Sequence, residues 1–94
     1  ESSTAEIKKN ITTLDSGLDK VLLMRGVEFD YKENDLHSIG VIAEEINKIE
    51  PYLLSEDKKS VQYTRIVPLL IEAIKDLSTK VDKQNKIIDK MGKN

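Results

Sequence analysis

The chain is poor in side chains that do chemistry. Among its 94 residues there is one histidine, His37, and no cysteine. A metal centre built on nitrogen or sulfur needs several such ligands, so His37 is expected to be a structural residue. Without cysteine, disulfides and thiolate metal sites are excluded. Neither GxGxxG nor the longer GKS/T phosphate loop occurs, so no glycine-rich turn is present to cradle a nucleotide. Glu44, Glu45 and Glu50 read as the solvated face of a helix. No cofactor and no metal are expected.

Composition narrows the partners. Fifteen basic residues stand against 17 acidic ones, for a net charge of −2. That gives no large basic field, so nucleic acid is not an expected partner. No apolar run approaches the ~20 residues of a membrane span, and the polar N-terminus lacks a signal-peptide core. The lack of cysteine fits any compartment, so location stays open. Ninety-four residues make a single domain over 1–94, and so small a chain is marginal alone. With neither disulfide nor metal to add stability, oligomerisation is the expected source.

The elements follow from periodicity. Asp15-Ser16 reads as a helix N-cap ahead of Leu18, Val21, Leu22 and Met24, with Gly26 as the stop. Val27, Phe29 and Tyr31 alternate with Glu28, Asp30 and Lys32, the period of a half-buried strand. Glu33-Asn34-Asp35 reads as the turn and His37 to Val41 as the return strand, with Gly40 marking a bulge or a close backbone approach. Ile42, Ile46 and Ile49 recur at helical spacing until Pro51 ends the helix. Leu53-Leu54 and Val61 to Tyr63 flank a polar SEDKKS, a second hairpin candidate. Val27, Phe29, Tyr31, Ile39, Val41 and Ile42 are the expected core.

The C-terminal third carries the strongest pattern. Thr64 reads as an N-cap, and Pro68 falls near the first turn, where a missing N–H is tolerated. Val67, Leu70, Ile74, Leu77, Val81, Gln84, Ile88 and Met91 then step by three and four, a heptad seam over more than three heptads. A helix over 64–91 would be ~40 Å long, more than so small a domain can cover, so its later turns are expected to face partner helices. Val or Ile at a with Leu at d leans toward two strands, and Gln84 is a polar layer that can fix register.

The stretch from Arg25 to Ile74 carries a resemblance. An Arg25-Gly26-Val27, Phe29, Tyr31 strand is followed by Ile39 to Glu44, by Pro51, by Val61 and Tyr63, and by Val67 to Lys75. In this order and spacing they resemble the intramolecular chaperone domain of phage tailspikes and endosialidases, also found in the myelin regulatory factor. Ile7 to Ile11 resembles that family's opening motif, so the likeness covers nearly the whole chain. The resemblance implies an α+β fold, with small β-hairpins and short helices followed by a long C-terminal helix in a parallel trimeric coiled coil. The trimer comes from the resemblance and not from the core pattern. Some phage relatives are linked to ATP; nothing in this sequence carries that over.

Where such domains are active, they cut their own chain beside a Ser in a motif S-D-x-R-x-K. The Ser is the nucleophile and the Lys its base. Aligned through Lys8 to Ile11, the catalytic pair is Ser3 and Lys8, within an opening segment over 1–11. Thr4 stands where Asp is usual and Glu6 where Arg is usual. The chemistry needs contact: a Ser hydroxyl must meet its base, and burial can make a Lys basic enough. Five residues of strand put the two side chains on opposite faces, and five residues of helix leave them about 140° apart. A turn or a neighbouring subunit must therefore close the pair. Closure across subunits would make cleavage wait for assembly. With Glu1 still ahead of Ser3, an uncut or slowly cut chain is expected.

These readings combine into a C-terminal intramolecular chaperone. It trimerises and aligns a fibrous parent of the tail-fibre or tailspike type, with self-cleavage beside Ser3 as its candidate activity. Its partners would be two further copies and the upstream fibre region of the same polypeptide, with no nucleic acid and no membrane. A phage parent would place this in the host cytoplasm during assembly. The rival is a plain coiled-coil oligomerisation or adaptor module without chaperone or protease activity. A hydrolase acting on other substrates is disfavoured, since so short a chain has no bulk to form a cleft.

Overall fold

The structure, a computed structural model, describes residues 2–92. It is an α+β head on a long helix. After a 3-10 turn at Ala5–Ile7 come helix α1 (Gly17–Leu23), strands β1 (Val27–Asp30) and β2 (His37–Gly40), helix α2 (Ala43–Ile49), a second 3-10 turn at Pro51–Leu53 and helix α3 (Tyr63–Gly92). The radius of gyration is 18.2 Å, with extents of 63 × 40 × 22 Å. A globule of this length would have a radius near 12 Å. α3, about 45 Å long, runs out beyond the head, and residues 2–13 are exposed throughout.

β1 and β2 form an antiparallel hairpin that pairs Val27 with Gly40, Glu28 with Ile39, Phe29 with Ser38 and Asp30 with His37. The register is unbroken, so Gly40 makes no bulge. Gly40 instead marks a close approach: a Cβ there would stand 2.6 Å from the Tyr63 hydroxyl. That hydroxyl accepts a hydrogen bond from the Val41 N–H at 3.4 Å, tying the hairpin to the first turn of α3. The turn follows the expected chemistry. The Asn34 side chain accepts from the Leu36 N–H, and Asp35 takes a left-handed φ of 58°, which Asp tolerates.

The core lies elsewhere than the alternating strand suggests. Ile46, Leu53, Leu54 and Leu69 form the buried cluster, with Val21, Met24, Val41, Ala43, Val61 and Ile66 packed around it. Ile46 is 1% exposed. Of the expected core, Val27, Phe29, Val41 and Ile42 are half-buried, while Tyr31 is exposed and Ile39 is 74% exposed. The register accounts for Ile39. It sits opposite Glu28 and shares the outer face with His37 and Asp30, because side chains alternate between faces along a strand. The second hairpin candidate reduces to one bridge between Leu54 and Val61. Its connecting loop is held by the Ser55 and Asp57 side chains, which accept from the N–H groups of Ser60 and Lys59.

Helix ends depart from the expected caps. Ser16 adopts a left-handed φ of 56° and makes no capping bond. The N–H of Leu18 is met from outside, by Asp76 Oδ2 of α3 at 3.4 Å. Gly26 does not stop α1; the helix ends at Leu23, and the extended Met24 follows it. α3 starts at Tyr63, one residue ahead of the expected cap Thr64, and holds Pro68 within it. The proline lacks the N–H that would meet the Thr64 carbonyl four residues back.

α1 docks on α3 through its first turn. A Cβ on Gly17 would lie 2.9 Å from the Ala73 nitrogen and 3.1 Å from the Glu72 carbonyl carbon. Both are backbone atoms of a helix and cannot move aside. Gly17→Ala is therefore expected to destabilise the head by ~1–3 kcal/mol, the range for overpacking. Gly26→Ala, whose added Cβ meets nothing within 4 Å, is expected to be neutral or to stabilise by ~0.4–1 kcal/mol. Thermal unfolding of the two variants beside the parent chain checks the contrast.

Candidate functional site

Ser3 and Lys8 meet. Lys8 Nζ donates to Ser3 Oγ at 2.8 Å and to the Ser3 carbonyl oxygen at 3.1 Å. The closing element is the 3-10 turn Ala5–Ile7, tighter than an α-helix. Within it the Ile7 N–H bonds the Thr4 carbonyl at 3.4 Å and the Lys8 N–H bonds the Ala5 carbonyl at 3.1 Å. Thr4 caps it, its Oγ1 accepting from the Glu6 N–H at 3.4 Å. Of the two routes that could close the pair, a turn does so within one chain.

The pair is fully in water. Residues 2–13 are exposed throughout. Among the described residues, no hydrogen bond or ion pair joins that segment to the head. Ile7 and Ile11, flanking the basic Lys8-Lys9, are exposed as well. A concavity of about 580 Å³ lies in the head between the hairpin and α3. Phe29, Tyr31, Val41, Ile42, Val61 and Tyr63 are among its lining, and Ser3 and Lys8 are not.

Along α3 the seam residues Leu70, Ile74, Leu77, Val81, Ile88 and Met91 are exposed, as is Gln84. The face that α3 turns to its own head carries Leu69, Ala73 and Asp76. At 100° per residue that face is about 80° round the helix from the seam, so the head leaves the seam bare. No described residue after Ala73 is even half-buried. Two apolar residues outside the a/d count, Ile71 and Ile87, are also exposed. They fall at e and g and widen the stripe. Their signal was present in the sequence, since a broad apolar face includes e or g positions.

The glutamates split. Glu44 is solvated as expected. Glu45 instead takes two hydrogen bonds from the Arg25 guanidinium, at 2.9 and 2.8 Å. Glu50 accepts from Lys20 Nζ at 2.7 Å and from the Tyr52 N–H at 3.3 Å. The hydrogen bond from Arg25 holds the Glu45 carboxyl below its ordinary range, and that from Lys20 does the same for Glu50. These pairs fasten α1 and its following loop to α2. The spacing of Glu45 and Glu50 along the chain carries no sign of partners so far away.

Among the described residues no group of three or more His, Cys, Asp or Glu side chains is arranged to hold a metal, and no helix is long and apolar enough to cross a membrane. The structure thus places an exposed Ser/Lys pair ahead of an α+β head, with a bare helical seam behind it. A family model described as the chaperone of endosialidase matches residues 3–55, more than half of the chain, and the chain belongs to that family. The matched stretch runs from Ser3 to the end of the core turn and stops short of α3. No curated protein matches the chain.

His37 lies on the outer face of the hairpin. Its Nδ1 is 2.7 Å from Asp30 Oδ1 and its Nε2 3.3 Å from Glu28 Oε1. Both ring nitrogens can donate only as imidazolium. The hydrogen bond to Asp30, then that to Glu28, raises its pKa above the ordinary value of about 6.5. A raised folded value means the hairpin gains from this clamp fully below about pH 6.5, and the gain is lost as pH rises through the folded value. Nuclear magnetic resonance titration of His37 is expected to give a midpoint above that of an unfolded peptide. Asp30→Asn should bring it most of the way back and Glu28→Gln less. Equal effects of the two variants would contradict the unequal distances.

Proposed function

We propose that this chain is an intramolecular chaperone that trimerises through α3 and aligns three copies of a fibrous parent, with a single self-cleavage beside Ser3 as its enzymatic step. The observation that carries the reading is the bare seam of α3. Val67, Leu70, Ile74, Leu77, Val81, Ile88 and Met91 lie in water on a face adjoining the one the head covers. Burial of such a stripe is worth ~25 cal/mol per Å², and only other helices can supply it. Ile71 and Ile87 broaden the stripe beyond a two-stranded a/d seam, which favours three helices over two. Bringing three parent chains to one point raises their effective concentration, and intertwined β-rich fibres, whose pairings are non-local and slow to form, need that help most.

The chemistry of the cut follows from the Ser3–Lys8 contact. In the activating direction a neutral Lys8 amine accepts the Ser3 hydroxyl proton. Ser3 Oγ adds to an adjacent peptide carbonyl carbon, the peptide C–N bond breaks, and Lys8 returns the proton to the departing amine. Water then hydrolyses the ester. The same 2.8 Å serves either direction of the hydrogen bond. A Lys works as a base once burial favours its neutral form. Because both side chains are exposed in the single chain, that burial has to come from neighbouring copies or from the parent. Cleavage would thereby report on correct assembly.

Two measurements test this. Sedimentation equilibrium is expected to give three times 10.7 kDa at micromolar concentration. Leu77→Asp, which places three carboxylates in one layer, should abolish assembly, since uncompensated buried charge costs several kcal/mol. Lys86→Asp, on the far side of the helix, should assemble normally. A persistent monomer sinks the trimer, and a clean dimer would mean that the a/d pattern prevails. Intact mass followed over days should then show loss of the residues ahead of the cut. That loss should vanish in Ser3→Ala, in Lys8→Ala and in the non-assembling Leu77→Asp. A trimer that stays uncut would leave assembly as the whole function, and self-cleavage would fall.

A further inference from the structure

We propose that Thr4 is a positioning residue: its side-chain cap on the Ala5–Ile7 turn holds Ser3 Oγ against Lys8 Nζ. This rests on the self-cleavage reading for its consequence, but on the geometry of the turn for its substance. Neither strand nor helix can close a five-residue gap, and the observed closure depends on one turn of three residues. That turn contains no buried residue and makes no hydrogen bond to the head among the described residues. So short a helix does not persist on propensity. Its stability has to be local.

The local sources are few. Two backbone bonds close the turn, Ile7 N–H to Thr4 O at 3.4 Å and Lys8 N–H to Ala5 O at 3.1 Å. The first free N–H groups of any helix have no partner within it. Here the Glu6 N–H is met by Thr4 Oγ1 at 3.4 Å. Thr4 has the extended backbone, φ −66° and ψ 144°, that an N-cap requires. Its hydroxyl makes no bond to Ser3 Oγ or Lys8 Nζ among the described residues, so it acts through the backbone between them. Asp, Ser and Asn supply an acceptor at the same place, and Asp adds charge favourable to a helix start. Val fills the same volume and supplies none.

The test uses the 94-residue chain with Thr4→Val, Thr4→Ser and Thr4→Asp. Through-space contacts between the Ser3 β-protons and the Lys8 ε-protons report the closure directly, without any reaction. They are expected to weaken in Thr4→Val and to return in Thr4→Ser and Thr4→Asp. The cleavage rate should fall roughly three- to tenfold in Thr4→Val, the loss of one cap, and recover in the other two. The midpoint of its pH profile should stay in place, because Thr4 does not touch Lys8. The melting temperature should hold in all three, since the segment is not bonded to the head. An unchanged Ser3–Lys8 contact and rate in Thr4→Val overturns the proposal. So does failure of Thr4→Ser and Thr4→Asp to restore the contact. If the parent chain is never cut, self-cleavage fails, and the contact series still decides Thr4.

Discussion

A thirty-residue helix cannot be covered by the head that precedes it, and the rest of the molecule is arranged around that mismatch. α3 meets its head from Tyr63 to Asp76, over roughly four turns, through Tyr63, Arg65, Ile66, Leu69, Ala73 and Asp76. There the packing is close: Gly17 admits the first turn of α1 to within backbone contact, and Asp76 meets an N–H that Ser16 leaves unpaired. The buried cluster of Ile46, Leu53, Leu54 and Leu69 is small for a free-standing domain. Even with Leu18 and Ala73, buried where α1 meets α3, such a core leaves little margin against chain entropy. The apolar surface that could add stability lies on the adjoining face of the same helix. Under the proposed assembly, folding of the head and association of the helices would be parts of one equilibrium, and apparent stability would depend on chain concentration.

The head is stitched by polar contacts in place of a deep core. Arg25 with Glu45 and Lys20 with Glu50 join the α1 region to α2, and the Tyr63 hydroxyl holds Val41. Exposed pairs of this kind are worth little singly. Lys20–Glu50 is the better shielded, and Glu50 also caps the turn at Pro51–Leu53. These contacts set orientation more than they supply energy. The two ion pairs hold α1 and its following loop against α2, and the Tyr63 hydroxyl holds the end of the hairpin to α3.

How much could be seen in the sequence depended on how local the cause was. Elements set by period or by a punctuating residue came out in place: the strand of Val27 and Phe29, the Asn34-Asp35 turn, the helix ended by Pro51, and α3 to within a residue at either end. The close approach at Gly40 was also legible, because glycine within a strand has few reasons to be there. What escaped was decided by distant partners. Asp76 lies 58 residues from the N–H it meets, so Asp15-Ser16 looked like the natural cap. Ile39 looks like core until the register sets it opposite Glu28. Glu45 and Glu50 look solvated until Arg25 and Lys20 arrive from another element. Thr4 was legible only as a departure from a motif, and its capping role needs the turn to be seen.

The opening segment and α3 pose complementary physical problems. α3 exposes apolar side chains, and under the proposed self-cleavage the Ser3–Lys8 pair would need burial, since burial is what lets a Lys serve as a base. Neither need is met inside one chain, and assembly of copies can answer both. If copies associate as proposed, the Thr4-capped turn would supply the geometry in advance, and association would have to provide desolvation and not a search for the reactive arrangement. Prior placement of reacting groups removes an entropic barrier that would otherwise fall on the chemical step. On the proposed reading such a chain would hold a nearly complete nucleophile, idle while exposed, and the step that buries the helical seam would be the kind of step that switches it on.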